Sequence, residues 1–404
     1  MRACRSRRTG KYDNIRRPLM QSTKIRRPGR CLMASLAFAA GWGTQMPAAL
    51  AQSTVTLYGL LSEGIGYVSN EGGKSNVKLI PGTLQNNRIG LKGSEDLGEG
   101  WRAIFTLENG FDITNGKFQQ GGRMFGRQAF VGLTSTTWGT LTAGRQYDVA
   151  FDYLTGFEAA VVAAGLGTHI GDNDNVFGSY RQNNSIKYQT PVMAGLRAEV
   201  LYALSNAAGQ WALNRTISAG LSYERGGWRF AGAFLNMDRP GVGGNANGAV
   251  TDDYAGAPFI LFHASPLNPG VGVRRQREWG AGAQYSAGPW RVAAMATDVR
   301  YDYLDGTRLH LDNIDVNASY YLTPTLMLSA AYLYTSGKYG GGYDRAPHWN
   351  TGQLSVDYFL SKRTDLYLYG NYQKATGAAA DIYLFAPSSS QSQTAIVAGI
   401  RHKF

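Results

Sequence analysis

Residues that could carry out catalysis or bind metal ions are few and scattered in this chain of 404 residues. None of its five histidines lies in a nucleophile motif or in the His-Glu-x-x-His pattern of zinc hydrolases. Both cysteines, Cys4 and Cys31, lie near the N-terminus, so the rest of the chain has no thiol for a nucleophile, a disulfide or a metal site. We therefore predict no enzymatic activity, no catalytic residue, no cofactor and no metal. The histidines are His169, His263, His310, His348 and His402.

Two kinds of loop segment carry ion-binding hypotheses. The acids Asp172 and Asp174 alternate with asparagines, which gives oxygen ligands of the kind that suit Ca²⁺, although a solvated loop is the simpler interpretation. Glycine-rich stretches at 165–167 and 340–342 lack the strand-to-helix context and the following Lys-Ser/Thr of a phosphate-binding loop. We interpret both stretches as ordinary turns.

Basic residues follow a two-residue alternation in several segments. Arg88 and Lys92 share one face of a predicted strand, and Ile89 and Leu91 lie on the other. An unpaired arginine that faced lipid at the middle of a bilayer would cost about 2–4 kcal/mol, so we expect such residues to face water. Two further arginines lie in similar runs, namely Arg127 and Arg145.

The N-terminus has the pattern of a secretory signal. Residues 1–30 hold eleven Lys/Arg and one acid, residues 31–51 are uncharged, and Ala49-Leu50-Ala51 is an A-x-A cleavage site. We predict that residues 1–51 are a signal peptide and upstream leader, cleaved after Ala51 during export by the Sec pathway. Met20 is an alternative start. The remaining chain, 52–404, has a net charge of only +2, so the basic total of the whole chain does not indicate nucleic-acid binding. A nucleic-acid-binding basic arm is disfavoured, because such arms are not followed by an A-x-A site.

The mature chain repeats strands of about ten residues with alternating polarity, which is typical of outer-membrane barrels. Seven short turns are expected at 94–100, 136–139, 191–195, 225–227, 287–289, 323–324 and 361–363. Eight longer loops are expected near 68–85, 112–121, 148–182, 206–214, 240–276, 303–307, 338–347 and 378–393. Fifteen connections join sixteen strands, and an even count closes the sheet without an edge in lipid. We predict an all-β transmembrane antiparallel barrel with short periplasmic turns and long extracellular loops.

Aromatic residues support this prediction. Trp101, Trp228 and Trp290 each follow a short turn and precede an arginine, as expected when tryptophan lies at a membrane interface and the next residue points to a watery lumen. Soluble β-hairpins are the alternative. Glu63 is an exception to the pattern, because alternation places it with Leu57 and Gly59, so either a bulge intervenes or it faces a protein neighbour.

Four motifs resemble the general Gram-negative porins of beta-proteobacteria. They are Asn87-Arg-Ile-Gly-Leu-Lys-Gly-Ser-Glu-Asp-Leu-Gly98, Phe125-Gly-Arg-Gln-Ala-Phe-Val-Gly-Leu133, Gly144-Arg-Gln-Tyr-Asp148 and Ile400-Arg-His-Lys-Phe404. The resemblance extends over essentially all of 52–404 and is densest over 54–148. It implies a homotrimer of sixteen-stranded barrels in the outer membrane.

In that family the third loop folds inward and narrows the pore, and basic residues on the wall face acids on the loop. The resemblance assigns the constriction loop to about 149–182 and the basic wall to Arg88, Arg127 and Arg145, and alternation adds Lys92 to the wall. The candidate loop acids are Asp152, Glu158, Asp172 and Asp174. The Pro-Glu-Phe-Gly-Gly motif of the constriction loop in enteric relatives is missing, so the resemblance does not decide which acids face the basic wall.

The C-terminus resembles the signal that the barrel-assembly machinery recognises. Phe404 is the last residue, and Ile400 and His402 alternate before it. The alternative is a closing strand that happens to end in phenylalanine. Expected partners are therefore this machinery, periplasmic chaperones, outer-membrane lipid and lipopolysaccharide, small hydrophilic solutes and ions, but no nucleic acid.

The expected function is passive diffusion of small hydrophilic solutes and ions, with a weak preference for anions because the wall cluster is basic. The alternatives are a substrate-selective outer-membrane channel, an outer-membrane hydrolase and an adhesin. The basic segment Arg274-Arg-Gln-Arg277 either binds lipopolysaccharide phosphate or merely flanks the membrane interface.

Overall fold

The computed structural model describes residues 53–162, 165–240, 245–257 and 259–404, so the predicted signal peptide and its cleavage site lie outside the described residues. The described strands form one antiparallel sheet, and β1 pairs with β17 to close it into a barrel. The strands are β1 (Thr54–Glu71), β2 (Lys74–Pro81), β3 (Arg88–Gly98), β4 (Trp101–Gly110), β5 (Gln128–Ser135), β6 (Gly139–Gln146), β7 (Gln182–Gln189), β8 (Leu196–Ala203), β9 (Arg215–Arg225), β10 (Trp228–Asp238), β11 (Val273–Ala287), β12 (Trp290–Tyr303), β13 (Arg308–Thr323), β14 (Leu326–Gly340), β15 (His348–Phe359), β16 (Thr364–Thr376) and β17 (Ser392–Lys403).

These seventeen segments make sixteen barrel strands. The first half of β1, Thr54–Leu60, pairs with β3, and its second half pairs with β2. β2 and β3 are therefore two halves of one barrel strand that is interrupted at residues 82–87. At the interruption the backbone N–H of Ser62 donates to the side-chain Oδ1 of Asn87 at 2.6 Å, so a side chain replaces a missing ladder partner. The predicted sixteen-stranded antiparallel barrel is confirmed.

The connections follow the predicted order of turns and loops. Each of the seven predicted turns lies between two neighbouring strands, but the turn expected at 94–100 is shorter than predicted, because β3 continues to Gly98 and β4 begins at Trp101. The expected loop 68–85 is wrong in its extent, because β1 continues to Glu71 and β2 begins at Lys74. Gly72 and Gly73, with φ of 62° and 102°, form the tight turn between them, and glycine adopts this left-handed region without steric cost.

Alternation divides each strand into an inward and an outward face. On β12, Ala293 and Met295 are buried, whereas Trp290 is 54% exposed and Val292 is 50% exposed. Trp228 is also exposed beside a short turn, where its ring contacts Tyr285 at a centroid distance of 4.6 Å. Trp101 is partly buried at the corresponding position of β4. The three tryptophans thus open strands next to short turns, as expected for a girdle.

Glu63 lies on the outward face. The pairing of β1 with β17 runs without a register shift from Leu60 to Val68, so no bulge intervenes there. Glu63 shares its face with the exposed residues Ile65 and Tyr67. Of the two sequence interpretations, the bulge is wrong.

Three loops fold into the barrel and pack together. Residues 147–181 contain α1 (Val149–Leu154) and α2 (Ala159–Val162), and residues 239–272 contain α3 (Asp252–Gly256). Apolar side chains from these two loops and from residues 377–391 form one buried cluster with inward residues of the wall, including Tyr180, Phe262, Tyr383, Tyr301 and Trp349. No helix in the described ranges is long and apolar enough to cross a bilayer.

The C-terminus completes the closure of the sheet. Gly59 and Phe404 exchange backbone hydrogen bonds of 3.0 and 3.1 Å. The Phe404 ring lies on Gly59, where an added Cβ would come within 2.2 Å of the ring atom Cζ. His402 contacts Thr364 through Nδ1 at 2.9 Å, and Ile400 is exposed on the outer face. The last strand is therefore fixed by a glycine that leaves room for the terminal ring.

Candidate pore constriction

Small residues on the inner wall make room for the loop 147–181. A Cβ on Gly280 would lie 2.4 Å from Leu154 Cδ1, and one on Gly282 would lie 2.4 Å from the Phe157 ring. Asp148 caps α1 by accepting from the backbone N–H of Phe151 at 3.0 Å. The loop is therefore held against β11 inside the barrel rather than above it.

Two arginines predicted for the wall lie together around one carboxylate. Arg127 Nε donates to Glu108 Oε1 at 2.7 Å, and Arg88 Nε lies 3.9 Å from Glu108 Oε2. Arg127 also donates to the Tyr147 hydroxyl at 2.7 Å, and Arg181 donates to the same oxygen at 2.6 Å. Because Tyr147 and Arg181 are the two ends of the inward loop, the loop begins and ends at this group of side chains. We call these five residues the basic cluster.

The other two predicted wall residues lie apart from the basic cluster. Lys92 is exposed further along β3, with its Nζ 5.5 Å from the Tyr58 ring centroid. Arg145 is 8% exposed at the extracellular end of β6, where it donates to Gly126 O at 2.8 Å and forms an ion pair with Asp253. Asp253 comes from the loop 239–272, so Arg145 joins that loop to the wall.

The predicted loop acids do not face the basic cluster. Asp152 lies beside a lumen cavity of 630 Å³ and pairs with Lys187 on β7. Glu158 accepts from Thr168 at 2.6 Å, and Asp172 accepts from two backbone N–H groups of its own loop. Asp174 accepts from Thr297 on β12 at 2.6 Å. Three of the four acids therefore hold the loop in place, and one lines the lumen.

A buried histidine joins these anchoring acids. His169 is 1% exposed, and its Nδ1 lies 2.7 Å from Asp174 Oδ2. Burial alone would lower the pKa of His169, but the carboxylates of Asp174 and Glu158 outweigh it and raise the pKa to about 9. Burial raises the pKa of Asp172 to about 7, and His169 holds the pKa of Asp174 below its usual value despite burial. At neutral pH, a His169 cation therefore pairs with an Asp174 anion within the loop, and Asp174 holds the loop to Thr297 on β12.

The far side of the loop is attached by two arginines that follow girdle tryptophans. Arg291 donates to Gly156 O, and its Nη1 donates to Asn317 at 2.8 Å. Arg229 lies over the Phe157 ring, 5.0 Å from its centroid, and donates to Tyr153 O at 3.4 Å. The predicted inward orientation of the residue after each of these tryptophans is seen here.

Several residues of the constriction escaped the sequence analysis. Strand alternation could have identified two of them as facing the lumen. Lys187 lies on the opposite face from Ile186 and Tyr188, and Glu108 pairs with Gly90, which is on the same face of β3 as Arg88. Arg181 and Asp253 lie in loops that have no period. An extracellular cavity of 360 Å³ includes both of these loop residues in its lining.

Comparison with known proteins agrees with this architecture. A family model described as Gram-negative porin matches residues 34–378. An outer membrane porin protein of Bordetella pertussis is 31% identical over 391 residues, covering 88% of this chain and 96% of that protein. Outer membrane porin protein 32 of Delftia acidovorans is 27% identical over 372 residues, covering 88% and 96%.

Two solved structures share the fold. The anion-selective porin from Comamonas acidovorans superposes with a TM-score of 0.70 at 22% identity, covering 87% of this chain and all of that one. OmpT of Vibrio cholerae in its trimer form gives 0.63 at 13% identity, covering 87% and 99%. The chain therefore belongs to the Gram-negative porin family, and it is an outer-membrane β-barrel channel rather than an enzyme.

Proposed function

We propose that this porin passes small hydrophilic solutes and ions by passive diffusion and prefers anions. The observation that supports the preference is the composition of the basic cluster. The cluster holds three guanidinium groups and one carboxylate, which gives a local charge of +2. Arg88 and Arg127 lie at the Glu108 carboxylate, and Arg181 joins Arg127 through the Tyr147 hydroxyl. A positive constriction in a narrow, poorly hydrated passage attracts anions and repels cations.

Neighbouring charges do not cancel this excess. Arg145 and Arg123 each pair with an acid of α3, Asp253 and Asp252 respectively, so these pairs are close to neutral. Lys187, whose Nζ also donates to the backbone oxygen of Tyr147 at 3.2 Å, likewise pairs with Asp152. The Comamonas acidovorans protein, named as anion-selective, shares the fold, but the argument for this chain rests on its own charges.

We likewise propose that the loop 149–182 narrows the pore and that Arg88, Lys92, Arg127 and Arg145 belong to its basic wall. Of the proposed loop acids, Asp152 lines the lumen, and Glu158, Asp172 and Asp174 hold the loop in place. We also propose a homotrimer, supported by the trimer form of a protein with this fold. Three further expectations stay predictions: cleavage after Ala51, recognition of Phe404, His402 and Ile400 by the assembly machinery, and contact with lipopolysaccharide.

Single-channel recording in a planar bilayer tests the proposal. The zero-current potential under a KCl gradient should indicate anion preference in the wild type and shift toward cations in the double variant Arg88→Gln with Arg181→Gln. Arg308→Gln is the matched control, because it removes one guanidinium from a side chain that is 73% exposed on the outside of the barrel. Correctly folded barrels without channels would refute diffusion, and an unchanged potential in the double variant would refute the role of the basic cluster.

A further inference from the structure

The outer face of β12 and β13 changes from apolar to charged part of the way along the strands. From the short-turn end, the outward residues of β12 are Trp290, Val292, Ala294 and Ala296, and then Asp298 and Arg300 follow. On β13 the outward residues Ile314 and Val316 give way to Asp312 and His310 in the same direction. This boundary lies toward the extracellular ends, where the apolar band of a barrel meets the headgroup layer.

Two carboxylates lie directly opposite each other at this boundary. Asp298 and Asp312 are register partners, and like charges in such positions repel. The imidazole of His310 lies between them, with Nε2 2.6 Å from Asp298 Oδ2 and 3.4 Å from Asp312 Oδ1. Ligand atoms of all three side chains lie within 4.8 Å of one another. The group therefore converges on one point on the outer surface.

We propose that Asp298, His310 and Asp312 bind a divalent transition-metal cation of the Zn²⁺ type. One imidazole nitrogen and two carboxylate oxygens form a mixed donor set that suits Zn²⁺ better than Ca²⁺ or Mg²⁺. Zinc bonds of about 2.0–2.2 Å in a tetrahedral site place neighbouring ligand atoms roughly 3.3–3.6 Å apart. The 3.4 Å from His310 Nε2 to Asp312 Oδ1 matches this spacing, and the 2.6 Å hydrogen-bonding distance to Asp298 Oδ2 must lengthen when the metal binds. A cation there neutralises the repulsion between the opposed acids.

The three protein ligands leave a fourth position open. That position faces outward, because the three side chains project from the outer face of the barrel. Water or an oxygen of an anionic headgroup can fill it. Asp298 and His310 are twelve residues apart in the chain, and only the register of β12 and β13 brings them together, which is why sequence motifs give no sign of a metal site here.

Arg300 competes with the metal. Its Nε and Nη2 donate to the two carboxylate oxygens of Asp298 at 3.0 and 3.2 Å, and its side chain is 54% exposed. Since the metal must displace this guanidinium, removal of Arg300 should strengthen binding. A nonspecific cation at a negatively charged surface would also gain from Arg300→Gln, but it would not require His310.

The test is a Zn²⁺ titration of the folded, detergent-solubilised barrel, free of lipopolysaccharide, in competition with a chromophoric chelator. We expect one Zn²⁺ per chain, binding weakened at least about tenfold in His310→Gln and in Asp312→Asn, and binding several-fold tighter in Arg300→Gln. His348→Gln is the matched control, because it removes an outward histidine from β15 whose ring lies beside Tyr334.

Cu²⁺ electron paramagnetic resonance gives a second readout. Nitrogen hyperfine coupling should be present in the wild type and in His348→Gln and be lost in His310→Gln. Equal Zn²⁺ affinity in the wild type, His310→Gln and Asp312→Asn would overturn the proposal, as would an effect of His348→Gln as large as that of His310→Gln. Heat modifiability on gels verifies that each variant is folded. Channel conductance should not change in these variants, so the result is independent of the pore proposal.

Discussion

Replacement of Glu108 by glutamine tests the electrostatic argument with the smallest structural change. The side chain is 5% exposed and accepts from Arg127 at 2.7 Å and from the Tyr58 hydroxyl at 2.9 Å. Glutamine keeps the shape and one acceptor oxygen but removes the charge. The local charge of the basic cluster then rises from +2 to +3, and anion preference should increase.

The size of the effect follows from Coulomb's law. An ion passing about 8 Å from the carboxylate, at an effective dielectric constant of about 40, interacts with it by about 1 kcal/mol. Screening in about 0.1 M salt roughly halves this energy. Because Cl⁻ gains and K⁺ loses by the same amount, the Cl⁻/K⁺ permeability ratio should rise about fivefold, since 1.4 kcal/mol is a factor of ten.

The assay is the zero-current potential of Glu108→Gln under a KCl gradient near 0.1 M, repeated near 1 M, where the Debye length of about 3 Å should abolish most of the difference. Asp302→Asn is the control, because Asp302 is an acid on the outer face that contacts Arg277 at 3.4 Å. A permeability ratio that does not change at low salt, or a change that persists undiminished at high salt, would refute the reasoning.

Three further predictions concern the loop and the N-terminus. The pKa of His169 is raised to about 9 from an ordinary 6.5, so its contribution to stability is complete below about pH 6.5 and is lost as the pH rises through 9. The midpoint of thermal unfolding, measured between pH 7 and 10, should therefore depend on pH more steeply in the wild type than in His169→Gln. Gly282→Val should displace the Phe157 ring, cost about 1–3 kcal/mol and alter single-channel conductance, whereas Gly256→Ala, a position with open space around it, should do neither. N-terminal sequencing of the outer-membrane protein should begin at Gln52, and a start elsewhere would refute cleavage after Ala51.

Period-two alternation was sufficient to predict the barrel. It predicted the seven turns and the sixteen strands, because lipid on one side and water on the other impose the same rule on every strand. It could not show that β2 and β3 are halves of one strand, since the interruption at 82–87 depends on the Asn87 side chain reaching Ser62. The length of the hairpin at Gly72 and Gly73 was also missed, because paired strands continue beyond the membrane where polarity no longer alternates.

The constriction was predictable only where strands build it. Arg88 was placed on the inward face from alternation, and Glu108 on the paired strand carries the same signal. The loop acids were assigned by resemblance, and Glu158, Asp172 and Asp174 instead bond within the loop or to the far wall. Nothing in a loop's own sequence fixes which strand it will contact, because that depends on side chains distant in the chain, such as Thr297.

The acids of the inward loop and of α3 are paired away from the basic cluster, so anchoring of the loop and ion selectivity depend on different residues. The acids that anchor the loop are paired with His169, Thr297 or backbone N–H groups, so their negative charge is balanced by these partners and does not offset the basic cluster. The acids of α3 are paired with Arg123 and Arg145 at the extracellular side. The excess positive charge is left at the basic cluster, where both ends of the loop meet the wall. Substitutions that loosen the loop anchor should therefore change conductance and stability more than selectivity, whereas substitutions in the basic cluster should change selectivity first.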